Sequence, residues 1–259
     1  MLNKQPKNWG DITVNQFIEL SKLKVDDFDN EDELNLYYLS LLTDTSTDII
    51  EELPFNKFEE LLNQFKFVNK FPNKPPSQTI QTPAGPLYFI QEFNHLEIGA
   101  FIDLEHFITN DYISNLKVIL SIFYRQKIKD KDLLYNQKFE EYGDWIYHRA
   151  DLFDNVSILE VYKVIPNYLN WREKFFENYD GLLSGPIDED DDESFDNGSV
   201  ISKSEMLKEK QKEKTIKKWS WNLFLYQLAN NNILQMSEAS KLNVIEAFNI
   251  LSMKRELGL

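Results

Sequence analysis

Helical periodicity over most of the chain, one proline-bounded interruption and one acidic run predict a mainly α protein. The expected form is a multi-helical bundle with one small β-hairpin and a disordered acidic insertion. The 259 residues are 42% hydrophobic and 14% aromatic, enough apolar side chain for a sizeable core. Four regions follow from the pattern. Residues 1–72 form an N-terminal helical region, and residues 73–184 form a hairpin plus helical core packed with the first region as one domain. Residues 185–214 are an acidic and then lysine-rich linker, and residues 215–259 form a C-terminal helical hairpin.

The first element is announced by "NWGDITVNQFIEL". Thr13 followed three residues later by Gln16 is a capping box, with Ile12 and Phe17 placed as a staple. Trp9 lies outside that helix as a lid on its apolar face, with Gly10 giving the chain freedom between them. In "DELNLYYLSLLTD" the positions Leu34, Tyr37, Tyr38, Leu41 and Leu42 keep helical spacing. "TSTDIIEELP" is a short capped helix. Pro54 then opens an amphipathic helix whose stripe is Phe55, Phe58, Leu61, Leu62, Phe65 and Val68.

Prolines forbid helix through "FPNKPPSQTIQTPAGPLYFIQEF", where two β-prone runs around Ile80 and from Leu87 to Ile90 flank a Pro-Ala-Gly-Pro turn. A single hairpin is marginal in water, so it must lie on a helix or pair with another chain. Two helices follow, the second with Ile113, Leu116, Ile119, Leu120 and Phe123 on one side. "KFEEYGDWIYHRADLF" reads as a helix. The next long helical run opens on a second capping box, Ser157 with Glu160, and Pro166 either kinks it or divides it. The acidic stretch from Asp188 to Asn197 cannot bury enough apolar surface to fold by itself. Asn230 to Asn232 turn the corner between the last helices, and no internal repeat recurs at a fixed period.

Composition narrows the function classes. Without Cys there are no disulfides, thiolate nucleophiles or Cys-built metal sites, which suits a reducing cytoplasm. A formal charge of -15 repels phosphate backbones, so direct nucleic acid binding is not expected; mimicry of a DNA surface is the acidic alternative. No apolar run is long enough to span a bilayer, so no membrane partner is expected.

Chemistry-bearing residues are few. His95, Glu105 and His106 offer metal-ligand atom types but no zincin spacing, and partly exposed helix-surface histidines are the better reading. His148 beside Arg149 and Asp151 has no Ser or Cys nucleophile context, and Glu97, Asp103 and Glu105 are carboxylates in an acid-rich chain where such pairs are common. An EF-hand register from Asp192 puts Asn197 at position six and Lys203 at position twelve, which fails the loop. The common phosphate-binding and nucleophile motifs are missing. The expectation is a protein with no catalytic residues, cofactor or metal, and an enzyme ranks last among the readings. Aromatic density instead marks the final hairpin, where Trp219, Trp221, Leu225 and Phe248 are the candidate partner-binding residues.

Three stretches resemble the tail-assembly chaperone-like proteins encoded near the tail genes of tailed bacteriophages. They are "WGDITVNQFIEL" with the Leu-Pro-terminated helix after it, "LYFIQEFNHLEIGAFIDLEHFI", and the Trp-led "WNLFLYQLANNNILQMSEASKLNVIEAFNILSMKRE". The resemblance implies a non-enzymatic α-helical protein in the cytoplasm of the infected bacterial host. Its partner would be a long tape-measure-type tail polypeptide, kept soluble during virion assembly. A structural component of the head-to-tail connection is the alternative, and an acidic DNA-mimic inhibitor the third reading.

Overall fold

A computed structural model describes residues 2–128, 139–179 and 220–258. The expected acidic insertion and Trp219 lie outside the described residues. The protein is mainly helical with one small antiparallel sheet, and its chain divides into two compact units. The first comprises Met1–Gln91 with Asp103–Leu169, the second Glu92–Ile102 with Asn170–Leu259.

In the first unit, α1 (Val14–Lys22) starts at the expected capping box, with Thr13 and Gln16 each accepting from the other's backbone N–H. Trp9 covers this entrance. Its indole N–H donates to the Lys70 carbonyl at 3.1 Å, and its ring packs 4.5 Å from Phe71, which stacks on Tyr162 at 3.8 Å. The second expected capping box does not form: Ser157 makes no side-chain cap hydrogen bond, although the residue itself is held by tertiary pairing. Thr13 and Ser157 form an isolated antiparallel bridge, in which Val14 N–H donates to Val156 O at 2.8 Å and Ile158 N–H donates to Ile12 O at 2.9 Å. Ser157 Oγ is left buried without a hydrogen-bond partner, and Glu160 accepts from Ser77 instead.

Helix α2 (Glu31–Thr43) is capped by Asn30, carries acids in its first turn as the helix dipole favours, and stops where Asp44 turns left-handed at φ 53°. Its buried side is centred on Leu39 and Leu42, so the expected stripe is rotated and Tyr37 faces out. Tyr38 is partly buried, which pushes its phenol up to about 12. Helices α3 (Thr47–Glu51) and α4 (Phe55–Gln64) follow. Leu61 and Phe65 are buried as expected, but Phe55, at the very start of α4, is 75% exposed.

The expected hairpin is β1 (Thr79–Thr82) with β2 (Gly85–Phe89), in register Ile80 to Leu87, and Gly85 takes φ 109° at the turn. A third strand, β3 (Tyr124–Arg125), pairs with Tyr88 and Phe89 of β2, giving the order β1-β2-β3. It continues directly from α6 (Leu116–Phe123), whose inner residues Leu116, Ile119, Leu120 and Phe123 are buried. Tyr124 fixes the join by donating its hydroxyl to the Ser77 and Glu160 carbonyls at 2.9 and 3.3 Å. Helix α5 (Ile98–Asp111) precedes α6, while α7 (Trp145–Ala150), α8 (Ile158–Val161) and α9 (Val164–Glu177) follow. Pro166 divides rather than kinks the long helical run: it sits in the first turn of α9, where its missing N–H costs no helical bond.

The second unit repeats the bridged-entrance device. Glu97 pairs with Asn243, Ile98 N–H donates to Leu242 O at 2.7 Å, and Val244 N–H donates to Leu96 O at 2.8 Å. Gly99 permits the approach: a Cβ there would stand 3.1 Å from Ser240 O and 3.2 Å from Ser240 Cβ. A helix over 220–228 leads to Asn230 and Asn231, both left-handed at φ 55° and 58°. Asn232 then caps the next turn, and α11 (Met236–Ala239) and α12 (Val244–Glu256) complete the chain. With the helix over 220–228 counted as α10, Asn230–Asn232 turn the corner where the sequence placed it.

Candidate functional site

Helix α12 carries apolar residues on two sides. Val244, Ala247, Phe248 and Leu251 are buried at the i, i+3, i+4, i+7 spacing of one helical face. Phe248 is wholly buried, with its ring 4.8 Å from Phe175 and from Phe224, 5.0 Å from Tyr179 and 5.8 Å from Phe101. It is a core residue and offers nothing to a partner. The opposite side carries Ile245, Ile250 and Met253, which with Asn243, Glu246 and Asn249 line an open groove of about 410 Å³. Asn249 is fixed there by Tyr179, whose hydroxyl donates to Asn249 Oδ1 at 2.8 Å. Among the other expected docking residues, Trp221 is half-buried edge-on to Phe101 and Phe224, and Leu225 is half-buried. The exposed apolar residues of α10 are Leu223 and Tyr226. The sequence places Phe248 on the docking face of this hairpin; the structure puts it inside, and Ile245, Ile250 and Met253 line the groove instead.

The titratable candidates are dispersed. His95 is exposed and contacts Glu92 at 3.0 Å; His106 is exposed beside Asn110, and His148 is exposed on α7. Glu105 is buried and accepts from the Tyr168 hydroxyl at 3.0 Å. Among the described residues no group of three or more His, Asp or Glu side chains is placed to hold a metal ion, and no helix is long and apolar enough to cross a membrane.

One polar cluster does form, and sequence reasoning missed most of it. The segment 139–144 is tied to the chain just beyond β3 by an isolated Lys127–Phe139 bridge and is held by two buried arginines. Arg149 pairs with Glu140 and lies 3.9 Å over the Trp145 ring, while Arg125 donates to Glu140 O at 3.1 Å. Tyr142 donates its hydroxyl to Asp103 on α5. Burial raises the Asp103 carboxyl above the ordinary carboxylate range; Asp144 adds to this, and Tyr142 and His106 oppose it. Burial raises the Tyr142 phenol as well, reinforced by Asp103. The only local signal was Arg125 at the end of an apolar run, a position where an unpaired cation would be costly. With its polar atoms turned to one another, the cluster is an anchor for segment 139–144.

Asp103→Asn tests that anchor. A raised folded-state value means that the folded protein binds the proton more readily, so the Asp103 contribution to stability declines as pH rises from the ordinary carboxylate value through the raised one. Asn keeps an acceptor for Tyr142 and cannot ionise. The variant is expected to melt higher than wild type at pH 7, with the advantage shrinking at pH 4. A lower melting temperature at both pH values would show that the ionised carboxylate stabilises the anchor.

Compared with known protein families, curated proteins and solved structures, the chain matches none.

Proposed function

We propose that the protein is a non-enzymatic assembly factor of the phage tail-assembly chaperone kind, which binds a long tape-measure-type polypeptide and keeps it soluble until it is used. The observation that carries this reading is the groove on α12, lined by the half-buried Ile245 and Ile250 and the exposed Met253 on a helix whose other side is already buried. An amphipathic client helix fits such a groove by laying its apolar face along it. The formal charge of -15 suits a holder that must remain dispersed with its client. The clustered polar groups at Asp103 satisfy one another, which favours binding over catalysis as the protein's work.

A tape-measure-type polypeptide diluted from denaturant provides the test, with light scattering as the readout. Equimolar wild-type protein is expected to suppress scattering. Ile250→Asp with Met253→Asp is expected to weaken suppression by roughly tenfold or more, as loss of a binding hot spot does, with the helical circular dichroism spectrum retained. Scattering unaffected by wild-type protein would overturn the proposal.

A further inference from the structure

We propose that the protein associates with itself head to tail, the hairpin tip of the second unit docking on an acidic apolar patch of the first unit of another copy. The tip is an ordered knuckle. Asn230 and Asn231 hold left-handed conformations, Asn232 Oδ1 accepts from Leu234 N–H at 3.0 Å, and Lys254 Nζ donates to Gln227 O at 2.9 Å and to Asn230 Oδ1 at 2.7 Å. On this fixed turn Ile233 and Leu234 stand 74% and 86% exposed. Rigid apolar anchors lose little entropy on binding, the property that concentrates binding energy in a few residues.

Charge selects the occupant. No charged residue lies between Ser220 and Ser237, in a chain that is 27% charged, so the tip is a place where two acidic copies can approach without repulsion. The cation fixed at the tip, Lys254, pairs with no carboxylate among the described residues. The first unit offers the complement. Val25 is 73% exposed on a turn between Lys24 and the pair Asp26 and Asp27, where aspartates outnumber the lysine and neither aspartate pairs with a cation among the described residues. Phe28, which closes that turn with its N–H on Val25 O, packs 5.3 Å from the exposed Tyr37 ring. One surface thus joins apolar side chains to a lysine, and the other joins apolar side chains to aspartates. Because the two surfaces differ, their pairing is heterologous and leaves a free site at each end of the assembly.

Analytical ultracentrifugation of the 259-residue chain, from about 1 µM to about 1 mM, tests this. Wild type is expected to grow beyond a dimer with concentration. I233D with L234D removes the tip, and V25D with Y37D removes the patch; each alone is expected to weaken association roughly 30-fold or more while keeping the wild-type circular dichroism spectrum. Mixed together, the two variants retain one intact tip and one intact patch, and are expected to form a dimer and nothing larger. A wild type that stays monomeric throughout, or tip variants that associate like wild type, would overturn the proposal. So would a monomeric mixture, or a patch variant that still dimerises by itself, the latter indicating tip-on-tip pairing. These substitutions lie outside the α12 groove, so client suppression by the same variants separates this result from the chaperone reading.

Discussion

Replacing Phe248 by Ala is expected to destabilise the protein by about 3–5 kcal/mol, among the largest effects available to a single substitution. The ring is wholly buried and is surrounded by five others, those of Phe101, Phe175, Phe176, Tyr179 and Phe224, with centroids between 4.8 and 6.2 Å away. Rings braced on so many sides relax poorly into a void, so the cavity term adds to the lost transfer free energy. Urea unfolding followed by circular dichroism measures the shift, and amide exchange over Val244–Glu256 localises it. A loss below about 1 kcal/mol would mean that the cluster collapses around the missing ring. The outward residues of the same helix behave differently: Met253→Ala is expected to leave stability within about 0.5 kcal/mol of wild type, because Met253 packs against little.

The contrast between Phe248 and Met253 shows where sequence reasoning reached its limit. The stripe Val244, Ala247, Phe248 and Leu251 has helical spacing and could be read as a core face, but Ile245, Ile250 and Met253 offer a second apolar side. With apolar residues on both sides, periodicity cannot say which is inside; the rings that settle it lie on residues far away in sequence. Local rules succeeded where the partners are local. The Thr13–Gln16 box, the Pro83-Ala84 turn between β1 and β2, and the Asn230–Asn232 corner each need only a few neighbouring residues. Ser157 and Glu160 satisfy the same local rule as Thr13 and Gln16. They do not form the box: the Glu160 side chain accepts instead from Ser77, 83 positions earlier in the chain. The Glu97–Asn243 bridge is equally invisible in sequence, since nothing in either helix entrance announces the other.

The polar anchor was the least legible part, and Arg125→Ala is the substitution that tests its role. Arg125 is almost completely buried at the end of β3, where Nε donates to Ile122 O at 2.9 Å and Nη1 to Glu140 O at 3.1 Å. Its guanidinium also lies 5.7 Å from the Tyr142 ring centroid and 5.9 Å from that of Trp145. Glu140 completes the tie by accepting from Gln126 N–H at 2.9 Å through its side chain and pairing with Arg149. Ala removes the cation and leaves buried carbonyls short of donors, while Glu140 keeps only one of its two arginine neighbours. Each hydrogen bond from a charged donor contributes about 1.5–3 kcal/mol, so a total loss of about 3–5 kcal/mol is expected. Amide exchange over residues 139–144 should quicken before the rest of the unit, because those residues depend most directly on the anchor. Arg125→Lys retains the charge but not the planar fork that reaches two carbonyls at once, and it should recover less than half of the loss. An Ala variant within about 1 kcal/mol of wild type would show that water reaches the vacated carbonyls and that Arg149 with Glu140 suffices to hold the segment.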